Sequence, residues 1–70
     1  MNPEQIGRRL TAMRGSRTQA EAAKAIGVTP AALSQYESGA RVPRDEIKIA
    51  IAKYYDTSVQ NIFFADEVNS

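Results

Sequence analysis

Seventy residues with neither cysteine nor histidine, and a formal net charge of +1, leave no disulfide staple, no zinc-finger ligand set, and neither the commonest catalytic base nor the strongest nucleophile. A chain of this length buries only about 60% of the surface it exposes when unfolded, so a single domain over residues 1–70 is expected, and oligomerisation would add stability. No apolar run approaches the ~18 residues of a membrane span, and MNPEQIGRRL lacks the apolar core of a signal peptide; the default expectation is a cytoplasmic protein with no membrane contact.

The first predicted helix covers 3–14. Asn2 can cap it, Pro3 suits its first position, and Gln5 stands three residues after the cap, as in a capping box. Ile6, Leu10 and Met13 then make one apolar stripe before Gly15 and Ser16 end the helix. A second helix over 19–26 opens on the T-x-x-E pattern of Thr18 and Glu21. Its alanines permit close approach, and Gly27 stops it by accepting left-handed geometry. The third, over 30–38, takes Thr29 as cap with Pro30 in its first turn, and stops before Gly39. Only Leu33 and Tyr36 anchor it, which leaves Pro30, Ala31, Ser34, Gln35 and Ser38 facing outward.

After the loop 40–43, residues 45–55 fit two patterns. Ile47, Ile49 and Ile51 alternate like a strand, whereas Ile47, Ala50, Ile51 and Tyr54 have helical spacing. A lone strand would have no pairing partner in this chain, so a helix is predicted. Asp56 and Thr57 break it, and Ser58 caps a short last helix over 59–64 that carries Val59, Ile62 and Phe63. The fold class is therefore all-α, with five helices and a polar tail from Ala65.

Gln19 to Gly39 carries the most information. Two short helices joined by a three-residue turn, with Ala22, Ala23, Ile26, Val28, Leu33 and Tyr36 at their contacts, have the layout of a helix-turn-helix. Such a unit holds its second helix out where a DNA major groove admits it. Charge is distributed unevenly: seven basic residues against three acidic ones through Arg44 give +4, and two against five thereafter give −3. One half is thus suited to phosphates. No phosphate-cradling glycine motif occurs, and the acidic pairs Asp45/Glu46 and Asp66/Glu67 stand at a helix start and in the tail. No enzyme, metal, cofactor or small-molecule ligand is expected.

From Ile6 to Phe64 the chain resembles the Cro/repressor-type helix-turn-helix family, also called the xenobiotic-response-element (XRE) family, of five-helix phage and bacterial regulators. The resemblance rests on Gln19 opening helix 2, Ala23 at the helix crossing, the turn Ile26-Gly27-Val28-Thr29, and Tyr36-Glu37-Ser38-Gly39 running into Arg41 and Pro43. Small Gram-positive regulators look especially close around RVPRDEIKIAIAKYY and VQNIFF. Two departures stand out. The loop Gly15-Ser16-Arg17 is about two residues shorter than the family pattern and lacks its apolar residue, and Asp56 occupies a place where many members have glycine.

The resemblance implies a compact bundle of the lambda-repressor-like type that binds double-stranded DNA as a homodimer, and it implies roles for particular residues. Thr29, Pro30, Ala31, Ser34 and Gln35 would meet base edges, with the Gln35 amide able to pair with adenine. Thr18, Gln19, Ser38, Arg41 and Arg44 would meet phosphates, and Arg44 aligns with a position that reaches toward the minor groove. Arg14 and Glu37 match an internal pair tying helix 1 to helix 3. Val59, Ile62 and Phe64 form a candidate dimer seam; the alternative buries both phenylalanines in the chain's own core. Function likewise has two readings: a transcriptional repressor on a pseudo-palindromic operator, or a protein-interaction module of toxin-partner or coactivator type that keeps the fold.

Overall fold

The computed structural model describes residues 2–65. All regular structure among them is helical: α1 (Pro3–Arg14), α2 (Gln19–Ile26), α3 (Pro30–Ser38), α4 (Asp45–Tyr54) and α5 (Val59–Phe63). The chain adopts the all-α, five-helix class that its sequence predicts. The last two helices each close one residue early, with Tyr55 and Phe64 as their C-caps.

Local chemistry explains where the helices begin. Asn2 Oδ1 accepts from the N–H groups of Glu4 and Gln5, each at 3.1 Å. The Thr18, Thr29 and Ser58 hydroxyls accept from the N–H groups of Glu21, Ala32 and Asn61 at 3.0, 3.1 and 3.0 Å. Each such cap contributes about 1 kcal/mol. Gln5 turns its Oε1 to Arg9, at 3.1 Å. No side chain caps α4, whose first turn instead carries Asp45 and Glu46 against the positive end of the helix dipole.

The core draws Ile6 and Leu10 from α1, Ala22, Ala23 and Ile26 from α2, Leu33 and Tyr36 from α3, Ile51 and Ala52 from α4, and Ile62 and Phe63 from α5. Helix α1 packs on α3 and α5, α2 on α3 and α4, and α4 on α5. The α1–α3 crossing is made possible by Gly7. A Cβ there would collide with the Glu37 carbonyl and stand 3.0 Å from the Tyr36 carbonyl oxygen. Glycine weakens the interior of α1 by roughly 0.5–1 kcal/mol relative to alanine but lets the two backbones meet.

One sequence expectation needs widening and another correction. The predicted α4 stripe packs inward, with Ile51 buried and Ile47, Ala50 and Tyr54 against the core, but it is wider than expected: Lys48 and Ala52 are buried too, and Ile49 is 51% exposed. Lys48 tolerates that position because its stem lies along the core while its ammonium sits over the rings of Phe63 (5.7 Å) and Phe64 (5.2 Å) and 3.6 Å from Asp45. Ile62, expected at a dimer seam, is completely buried in the chain's own core. Packing on α1 and α4 consumes its surface, which leaves Val59 and Phe64, both half-buried, of the three expected seam residues. Asp56, in the place where the resemblance expects glycine, has φ 55°, a left-handed geometry that aspartate tolerates better than most residues.

Candidate nucleic-acid interface

The turn between α2 and α3 is closed by its own backbone. Gly27 is left-handed (φ 99°, ψ 28°), and the N–H groups of Gly27 and Val28 both donate to the Ala23 carbonyl, at 2.8 and 3.0 Å. This abrupt stop sends α3 off in a new direction. Leu33 at 0% and Tyr36 at 4% exposure pin its underside. Pro30, Ala31, Ser34, Gln35 and Ser38 are exposed on the other side. Thr29 is exposed too, with its hydroxyl oxygen engaged as the helix cap.

Beyond α3 the chain folds back onto the helix end. The N–H groups of Ala40 and Arg41 donate to the Gln35 carbonyl at 3.0 and 3.3 Å, and the Ser38 hydroxyl donates to the same oxygen at 3.2 Å. Arg41 Nη1 donates to Gln35 Oε1 at 3.2 Å, while its guanidinium lies 5.7 Å from the centre of the Tyr36 ring. Arg44 is exposed at the start of α4. Arg41 and Arg44 both line a cleft of roughly 400 Å³ whose apolar lining includes Val28, Ala32, Tyr36 and Ile47.

Behind this surface Glu37 organises three elements. Arg14 Nε and Nη2 donate to its two oxygens at 2.8 and 3.2 Å, and Gln19 Nε2 donates to Oε1 at 2.9 Å. Arg14 Nη1 also donates to the Arg17 carbonyl at 2.6 Å. The Glu37 side chain is only 6% exposed, so these bonds offset a desolvation cost that an unpaired carboxylate would carry. The hydrogen bond to Glu37 holds the Arg14 guanidinium above its ordinary pKa. Gln19 therefore directs its amide at Glu37, and the first N–H groups of α2 have no partner within the helix beyond the Thr18 cap.

Several organising residues carry no obvious mark in the sequence. Arg17 lies in the loop that is shorter than the family pattern, and its guanidinium stacks 5.1 and 5.4 Å from the rings of Tyr54 and Tyr55. A cation over two aromatic faces thus ties the short α1–α2 loop to the end of α4. The Tyr55 hydroxyl is buried with no hydrogen-bond partner among the described residues. Burial pushes its pKa up, and the nearby charge of Glu37 adds to this. Arg9 Nη1 donates to the Ile62 carbonyl at 2.8 Å, joining α1 to α5. The only available signals were Gly7 inside a helical pattern and charged residues at apolar spacings.

Among the described residues no group of three or more His, Cys, Asp or Glu could hold a metal ion, and no helix is long and apolar enough to cross a membrane. A family model described as a helix-turn-helix domain matches residues 5–62. No curated protein and no solved structure gives a significant match.

Proposed function

We propose a function from one premise: this chain belongs to the helix-turn-helix domain family, whose members serve as DNA-binding regulators. It is a transcriptional regulator of the Cro/repressor (XRE) type, acting in the cytoplasm as a binding module with no catalytic role. A homodimer places α3 of each protomer in successive major grooves of a pseudo-palindromic operator, with half-sites about one helical turn apart. Where the operator overlaps a promoter, occupancy represses.

The observation carrying this reading is the two-sidedness of α3. Leu33 and Tyr36 fix one side, while Pro30, Ala31, Ser34 and Gln35 are exposed on the other. Arg41, Arg44 and Ser38 flank that surface where phosphates would pass, and the α2 terminus at Thr18 and Gln19 offers N–H groups to another. Base contacts are sparse, so DNA shape and the doubling of the site by dimerisation contribute to selectivity. Of the three residues expected at a dimer seam, Val59 and Phe64 remain half-buried and are proposed to meet the second copy.

Selection of bound duplexes from a random pool at moderate salt tests the proposal. An inverted repeat should be enriched, and Gln35→Ala should lose preference at one position in each half-site, worth about 1–3 kcal/mol of discrimination. No enriched motif, with affinity unchanged in Gln35→Ala, would refute it.

A further inference from the structure

We propose that Arg41 and Gln35 act together as a guanine reader, with Arg41 as the residue that sets which base the α3 glutamine selects. This rests on the DNA-binding reading above and makes it specific at one base pair.

An unconstrained glutamine prefers adenine, because its amide offers a donor to N7 and an acceptor to the N6 amino group. Gln35 is not unconstrained. Arginine side chains only donate hydrogen bonds, so the atom 3.2 Å from Arg41 Nη1 is the carbonyl oxygen Oε1. That contact fixes the orientation of the amide and leaves Nε2 as the end still to be paired. Arg41 is itself held in place. Its backbone N–H donates to the Gln35 carbonyl at 3.3 Å, and its guanidinium rests over Tyr36, which is 4% exposed.

The result is a surface in which donors predominate: Nε2 of Gln35 beside the remaining N–H groups of the Arg41 fork, with Oε1 already accepting from Arg41 at one of its two lone pairs. Guanine offers two acceptors side by side, N7 and O6, to such a surface. Adenine would direct its N6 amino donor at a fixed positive charge. Helix α3 contains no arginine; the loop that follows it supplies one by folding back.

The test is competition binding on the duplex that wild-type protein enriches, with the base pair opposite Gln35 changed to A·T or its guanine replaced by 7-deazaguanine. Wild type should prefer guanine there by about tenfold and should weaken when N7 is removed. Arg41→Ala should move the preference at that position toward adenine and leave every other position unchanged, with a circular-dichroism melt showing that the variant is folded. Adenine preference in wild type, or indifference to 7-deazaguanine, would overturn the assignment whatever the variant does. So would an Arg41→Ala protein that binds all sequences more weakly with its motif intact, since Arg41 would then be a phosphate contact only. Each of these results leaves DNA reading itself standing, whereas a wild-type protein that enriches no duplex removes both proposals.

Discussion

Ionisation of Tyr55 is linked to folding because its hydroxyl is buried without a partner among the described residues, and burial raises its pKa. The folded chain therefore holds this proton more tightly than the unfolded chain does. Its contribution to stability is complete below the unfolded value of about 10 and is lost as pH rises through the folded one. Tyr55→Phe removes an unmet polar group and should stabilise the protein at neutral pH by up to about 1 kcal/mol. It should also flatten the alkaline loss, as read by urea melts at a series of pH values. An equally steep alkaline loss in the variant would count against this assignment. Glu37 behaves oppositely, being buried but paired. Arg14→Met leaves its carboxylate with Gln19 alone and should lower the melting temperature more than loss of a surface pair. Adding Glu37→Leu should recover much of the loss, since an apolar pair no longer strands a charge.

Among the elements, α3 separates its two duties cleanly. Leu33→Ala opens a cavity under the helix and should cost about 2–5 kcal/mol in chemical denaturation. Gln35→Ala should leave the same denaturation curve within about 0.5 kcal/mol while altering selectivity for DNA. The α1–α3 crossing makes a sharper demand. Gly7→Ala forces the Glu37 carbonyl to move and should destabilise by about 1–3 kcal/mol, even though alanine is the better helix former; a neutral or stabilising result would show that the crossing can relax.

These elements also mark what the sequence could reveal. Helix starts were legible because their causes are local: Asn2, Thr18, Thr29 and Ser58 cap within three residues, and Gly27 ends α2 by its own backbone geometry. The fully exposed side of α3 was legible from the narrowness of its apolar stripe. Of the contacts between elements, the Arg14–Glu37 pair, which the family resemblance implied, is present, but others left no local trace. Gly7 matters because of Glu37, thirty positions away; Lys48 lies on a buried face because two phenylalanines of a later segment accept its charge. The Arg41–Gln35 bond depends on a loop turning back, which no periodicity records. Ile62 was misplaced for the same reason, since apolar spacing cannot say whether a neighbour is the same chain or another.

For the whole molecule, charge asymmetry gives the fold an orientation. The basic portion through Arg44 includes α3 and the arginines beside it, while the acidic excess begins with Asp45 and Glu46 in the first turn of α4. In the proposed dimer, each protomer would turn its Arg44, exposed at the start of α4, toward the duplex. If the two Arg44 side chains each neutralise a phosphate, the logarithm of the binding constant falls by about 0.9 per contact for each tenfold rise in salt. The most direct measurement is therefore the affinity for a selected operator duplex, titrated by fluorescence anisotropy as salt is raised fourfold. Binding should weaken by at least about tenfold and become markedly less salt-sensitive in the Arg44→Ala protein. Absent binding, or an affinity indifferent to salt, would contradict a DNA-reading role and favour a protein-interaction module built on the same five helices.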